Sequence, residues 1–169
     1  MMRCGITVLS VIATLAGSAK IAQAQRASDP PLVRKEVVLD GMTLALSLPE
    51  ANAARISVRG DRMTIDFARN MRLQRLLILR RGPPPSGGPL GPKQDLPSGG
   101  RLSYRLDDDA GGGSGGPIAE LNGILEIGTV ELAVTCTDQS EWGGDPEWCL
   151  SYLGQIELVK APLAKPPSR

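Results

Sequence analysis

VELAVTCTDQSEWGGDPEWCLSYLGQIELV, residues 130–159, changes its hydrophobic period partway along, and the reading of that change decides the fold. In its first part Val130, Leu132 and Val134 alternate with other residues, the period of a half-buried strand running from about Thr129 to Cys136. The acidic loop TDQSEWGGDPEW follows. Beyond it Cys149, Tyr152, Leu153, Ile156 and Val159 fall at spacings of three and four, which places them on one face of a helix. Asp145 suits the N-cap, Pro146 the first helical position and Glu147 the first turn, while Pro162 ends the run. The expectation is an amphipathic C-terminal helix.

Upstream, the pattern is that of strands and tight turns. VVLDGMTLALSLP carries the turn dipeptide Asp40-Gly41 followed by alternating Leu44, Leu46 and Leu48. RISVRGDRMTIDF repeats the device, with Ile56 and Val58 before Gly60-Asp61 and Met63, Ile65 and Phe67 after it. MRLQRLLILRR suits a helix as well as a strand; a strand from about Gln74 is favoured because the run stops at a proline cluster. A long turn-rich connection, GPPPSGGPLGPKQDLPSGG, precedes a strand marked by Leu102, Tyr104 and Leu106. After DDDAGGGSGGP, a strand from about Ile118 to Ile127 pairs as a hairpin with the one that begins near Thr129. The fold expected is α+β: an antiparallel β-sheet meander packed against the C-terminal helix.

The first residues carry an address. MMRCGITVLSVIATLAGSAKIAQA has a basic start at Arg3, an apolar run from Ile6 to about Ala16, and Ala22 and Ala24 in an A-x-A arrangement, the pattern of a cleavable secretory signal. The apolar run is shorter than the roughly 20 residues that span a bilayer, so cleavage after Ala24 and no membrane insertion afterwards are expected. Cys4 lies before the apolar run, where no lipid-attachment cysteine sits. The organisation expected is a signal over 1–24, a flexible leader over 25–36, a single domain over 37–161 and a tail over 162–169.

Loss of the signal removes Arg3 and Lys20 and no acid, so the 19 basic and 18 acidic residues of the whole chain become a mature balance one charge to the negative side. That near-neutrality excludes recognition of nucleic acid or an anionic membrane through bulk charge. The one basic concentration, Arg69, Arg72, Arg75, Arg80 and Arg81, has no aromatic residues between its members and reads as a solvated strand face. Cys136 and Cys149 remain after export, and an even pair in a small domain in an oxidising compartment reads as a disulfide closing a loop of about a dozen residues. Two thiolates without a histidine fall short of a zinc set.

The chain contains no histidine, which excludes Ser-His-Asp and Cys-His catalysis and histidine-based zinc hydrolysis. Asp107, Asp108 and Asp109 are adjacent acids on a glycine-rich loop, without the fixed separation and apolar cover that split carboxyl pKa values in hydrolases. They could serve calcium as hard oxygen donors, although the order of ligands is not that of an EF-hand, or form a solvated turn. GGGSGG lacks the lysine and the following helix of a phosphate loop. Trp142, on the second acidic loop, is of a type that anchors protein interfaces, and equally of a type that caps a core beside Trp148.

Four segments, GMTLALSLP, LQRLLILRRGPPPSGG, SYRLDDDAGGGSGGPIAEL and VELAVTCTDQSEWGGDPEWCLSYLGQIEL, resemble in order and spacing the type VI secretion immunity proteins that protect a bacterium's own periplasm against a peptidoglycan-cleaving muramidase effector. The resemblance implies a periplasmic, non-enzymatic inhibitor without a cofactor of its own. It also implies a peptidoglycan-degrading effector as partner, whose substrate cleft the acidic loops enter, in a complex that can depend on calcium held at the effector, at the partner interface. The positions that match are Asp107, Asp108 and Asp109 in the first loop and Gln139, Ser140, Glu141 and Asp145 in the second, with Trp142 beside them. Cys136, Cys149 and Trp142 depart from the family pattern, as does the absence of a lipid-attachment site. The competing readings are a general periplasmic binding or envelope-assembly module on the same scaffold, and a carboxylate-based hydrolase using Asp108 and Asp109.

Overall fold

The structure, a computed structural model, describes residues 31–49, 54–69, 72–80, 88–107, 112–113, 116–140 and 144–161. The first hairpin joins β1 (Leu32–Leu39) to β2 (Met42–Pro49) through Asp40 and Gly41, whose φ values of 44° and 79° both lie in the left-handed region that this dipeptide tolerates. A second hairpin joins β3 (Ala54–Arg59) to β4 (Arg62–Arg69), and β5 (Arg72–Leu79) follows. Then come β6 (Gln94–Asp95), β7 (Arg101–Asp107), β8 (Gly112–Gly113), β9 (Gly116–Ile127) and β10 (Val130–Gln139).

These strands make two antiparallel sheets. The larger has the order β3-β4-β5-β10-β9-β7-β6, with β8 paired to β9; the smaller contains β1, β2 and a C-terminal strand. The alternation seen in the sequence becomes the core. Leu44, Leu46 and Leu48 of β2 face Met63, Ile65 and Phe67 of β4, Leu76 and Ile78 of β5, Leu121 and Leu125 of β9, and Leu132, Val134 and Cys136 of β10 in one buried cluster. Aliphatic side chains supply nearly all of it, and each fully buried one contributes about 1.5–3 kcal/mol.

The C-terminal segment corrects the α+β expectation. A 3-10 turn over Pro146–Cys149 leads into a single helical turn, α1 (Leu150–Leu153), and the chain then extends into β11 (Glu157–Lys160), which pairs with β2. The second layer is therefore the small sheet, and the architecture is a β-sandwich. The capping signals act as expected: Asp145 Oδ1 accepts from the Glu147 amide at 3.1 Å, and Pro146 opens the turn. A cap, however, sets only where a helix begins. Helical turns this short have little stability of their own, whereas pairing Leu158 with Leu44 satisfies backbone groups and lays Leu158 against the core. Ile156 is fully buried and Val159 is exposed, an arrangement the period of three and four does not describe.

Candidate functional site

The ladder of the large sheet places the ends of two strands side by side. Asp107, the last residue of β7, pairs with Glu120 of β9; Gln139, the last residue of β10, pairs with Ile118 of the same strand. Both strands thus leave the sheet at one rim and flank the start of β9. With strands spaced about 4.8 Å apart and a rise of about 3.4 Å per residue, Asp107 and Gln139 lie roughly 12 Å from each other. The described ends of the two strands, Asp107 and Gln139, therefore lie at the same end of the sandwich.

The base of the second connection is held from several directions. Asp138 continues the inward-facing series Val130, Leu132, Val134 and Cys136, and is fully buried. Its Oδ2 accepts from Gln74 Nε2 at 3.3 Å and from the Asp145 amide at 3.1 Å, so that one buried carboxylate ties β5 to the far end of the loop. Each such hydrogen bond contributes about 0.5–1.5 kcal/mol, and losing one would leave a buried polar group without its partner. Gly144 lies so close that a Cβ there would stand 2.3 Å from the Asp138 carbonyl oxygen and 2.9 Å from Ala119 Cβ. No other residue fits without moving the chain.

Cys136 of β10 and Cys149 of the 3-10 turn are joined in a disulfide with a Cα separation of 6.3 Å, which closes the same segment a second time. Next to it Trp148 packs edge-on against Phe67 at a centroid distance of 4.9 Å, and Tyr152 contacts both rings. Trp148 is thus a core cap. Tyr104 of β7 donates its hydroxyl hydrogen to Glu147 Oε1 at 3.2 Å, linking the 3-10 turn to the strand that carries the first acidic loop.

Of the residues singled out from sequence, Asp107 and Asp145 are exposed at this rim. Gln139 is half-buried and donates through Nε2 to the Gly116 carbonyl at 3.2 Å; Ser140 is buried. Asp108, Asp109, Glu141 and Trp142 lie outside the described residues. The described acids do not make a metal cage: among the described residues no group of three or more His, Cys, Asp or Glu side chains is placed to hold an ion. Of the arginines, Arg75 donates to Asp66 at 2.6 Å on the exposed face of the large sheet. Sequence reading passed over Asp138, Gln74 and Gly144. The signal for Asp138 was present, since an acid at an inward position of an alternating strand requires buried partners.

At the opposite rim Glu126 accepts from Lys93 and, at 2.8 Å, from Arg101. The Lys93 hydrogen bond, aided by the positive charge of both cations, holds the Glu126 carboxyl below its ordinary range.

The class of the protein, a type VI secretion immunity protein, comes from the family comparison. The chain belongs to the type six secretion immunity 3 (Tsi3) domain family, which its residues 45–157 match. That span runs from the middle of β2 through the large sheet to the first residue of β11. No curated protein matches the chain. Membership implies binding of a cognate type VI effector. Among the described residues no helix is long and apolar enough to cross a membrane.

Proposed function

We propose that this chain protects the periplasm against a peptidoglycan-cleaving effector, without catalysis of its own, by placing the two acidic loops at the shared rim into the effector's substrate cleft. The observation that carries this reading is the convergence of the exits of β7 and β10 on the two sides of β9. Asp107, Asp108 and Asp109 form the first arm and Glu141, Trp142 and Asp145 the second; Gln139 and Ser140 support its base. A cleft that binds glycan through polar groups and a catalytic acid accepts acidic loops by charge complementarity, which speeds encounter. Anchoring the base of the second connection through Asp138 and the Asp145 amide lowers the ordering cost of binding there. The secretory-signal pattern over 1–24, outside the described residues, supports delivery to that compartment. Any calcium in the complex is held on the effector side.

The test is co-expression with the cell-wall effector encoded beside it. Cells should survive, and the two chains should co-elute on a sizing column. Replacing Asp107, Asp108 and Asp109 together with Asn should abolish both protection and co-elution while leaving the fold intact. Continued lysis with the native chain, or a complex indifferent to both loops, would refute the reading. Repeating the elution with a calcium chelator establishes whether the interface needs the ion.

A further inference from the structure

Seven large apolar side chains are exposed among the described residues, and three of them, Leu32, Val33 and Val38 at 41%, 40% and 63%, stand on β1. That strand ends the small sheet in the order β1-β2-β11, so among the described residues no strand lies along its second edge. Its pairing to β2 runs without a bulge from Leu32 opposite Pro49 to Leu39 opposite Met42. It contains no proline. The edge is long and regular, apolar at both ends and charged at its centre over Arg34, Lys35 and Glu36, so another strand can pair with it only in a register that matches those charges.

We infer that β1 pairs antiparallel with β1 of a second copy, joining two small sheets into one across a two-fold axis. The register follows from the side chains. In β1 the odd-numbered residues face the core, since Val33, Lys35, Val37 and Leu39 lie opposite Leu48, Leu46, Leu44 and Met42. A continuous sheet keeps like faces together, so the axis must pass through a residue. With the axis at Lys35, Arg34 faces Glu36 of the second copy, and the reverse contact forms by symmetry. Leu32 faces Val38 and Val33 faces Val37, which covers the exposed apolar residues of this strand. Moving the axis to Arg34 or to Glu36 sets that charge against its own copy and puts apolar residues opposite charges.

The central register does bring Lys35 opposite Lys35 of the second copy, but a lysine stem bends its ammonium to water at small cost. Arg34 already donates to Glu157 at 2.8 Å. Its five N–H groups allow it to keep that bond while meeting Glu36 of the second copy. The surface is self-complementary, as a two-fold interface requires.

Sedimentation velocity of the purified protein over a concentration series tests this directly. A reversible monomer–dimer equilibrium is expected. Arg34→Glu and Glu36→Arg alone should each raise the dissociation constant about tenfold, because two symmetry-related attractions become repulsions. The double exchange, Arg34→Glu with Glu36→Arg, should restore the dimer, which separates loss of pairing from loss of folding. Val38→Lys should weaken it independently. A monomer at every concentration, or a dimer insensitive to these changes, would overturn the inference. So would β1 amides that gain protection from hydrogen exchange only when the effector is added, an outcome that assigns the edge to the effector.

Discussion

Opening the Cys136–Cys149 bridge should cost the fold about 3 kcal/mol. The two cysteines are 13 residues apart, and closing a loop of that size restricts the unfolded chain by that amount in the chain-entropy account. For a domain of this length the loss corresponds to a fall in Tm of about 10 °C. Both sulfur-bearing residues are fully buried, so reduction requires the chain to open. The comparison is between oxidised protein and protein reduced in denaturant and refolded with its thiols blocked from reoxidation, followed by calorimetry and urea titration. A Cys136→Ala/Cys149→Ala variant should show the same fall plus a smaller loss of packing. The segment from Pro146 to Leu153 should loosen first, since β10 and the 3-10 turn are what the bridge connects. The near-ultraviolet circular dichroism of Trp148, packed on Phe67 and Tyr152, reports that loosening. A difference below about 1 kcal/mol, or two reactive thiols in the native protein, would refute the reasoning.

Three further outcomes are expected. Gly144→Ala should destabilise by about 1–3 kcal/mol in urea titration, because the new methyl would have to displace the Asp138 carbonyl, and it should weaken effector binding more than a surface substitution does. Phe67→Ala should cost about 3–5 kcal/mol and weaken the Trp148 contribution to the near-ultraviolet signal, since the ring is nearly buried and contacts both Trp148 and Tyr152. Glu126→Gln should lower stability at neutral pH. The depressed pKa of Glu126 means that its contribution is present above the ordinary carboxylate range and is lost as pH falls through the depressed value, so the two proteins should converge in stability on acidification and in high salt.

Most strands were legible because their causes are local. Asp40-Gly41 and Gly60 supply positive φ values where the hairpins turn, and the alternation of Leu44, Leu46 and Leu48 or of Met63, Ile65 and Phe67 describes a face that must be buried. Asp145 and Pro146 start a helical turn as their chemistry requires. The extent of that helix is not legible, since Cys149, Tyr152, Leu153 and Ile156 fit a helical period whichever way the chain continues. Similarly, each acidic loop could be read alone, but their common rim could not, because it depends on β9 serving as neighbour to both β7 and β10.

What the sequence determined by itself is therefore most of the long strands, the tight turns of the hairpins, the start of the 3-10 turn and the cysteine pair. What only the tertiary structure decided is that the chain after Gly154 becomes a strand, that Asp138 anchors a loop through Gln74 and the Asp145 amide, and that the two loops emerge together. The physical reason is range. Turn and cap preferences act over a few residues, whereas the partner of Leu158 is Leu44, on the far side of the sequence, and only folding brings it within hydrogen-bonding distance.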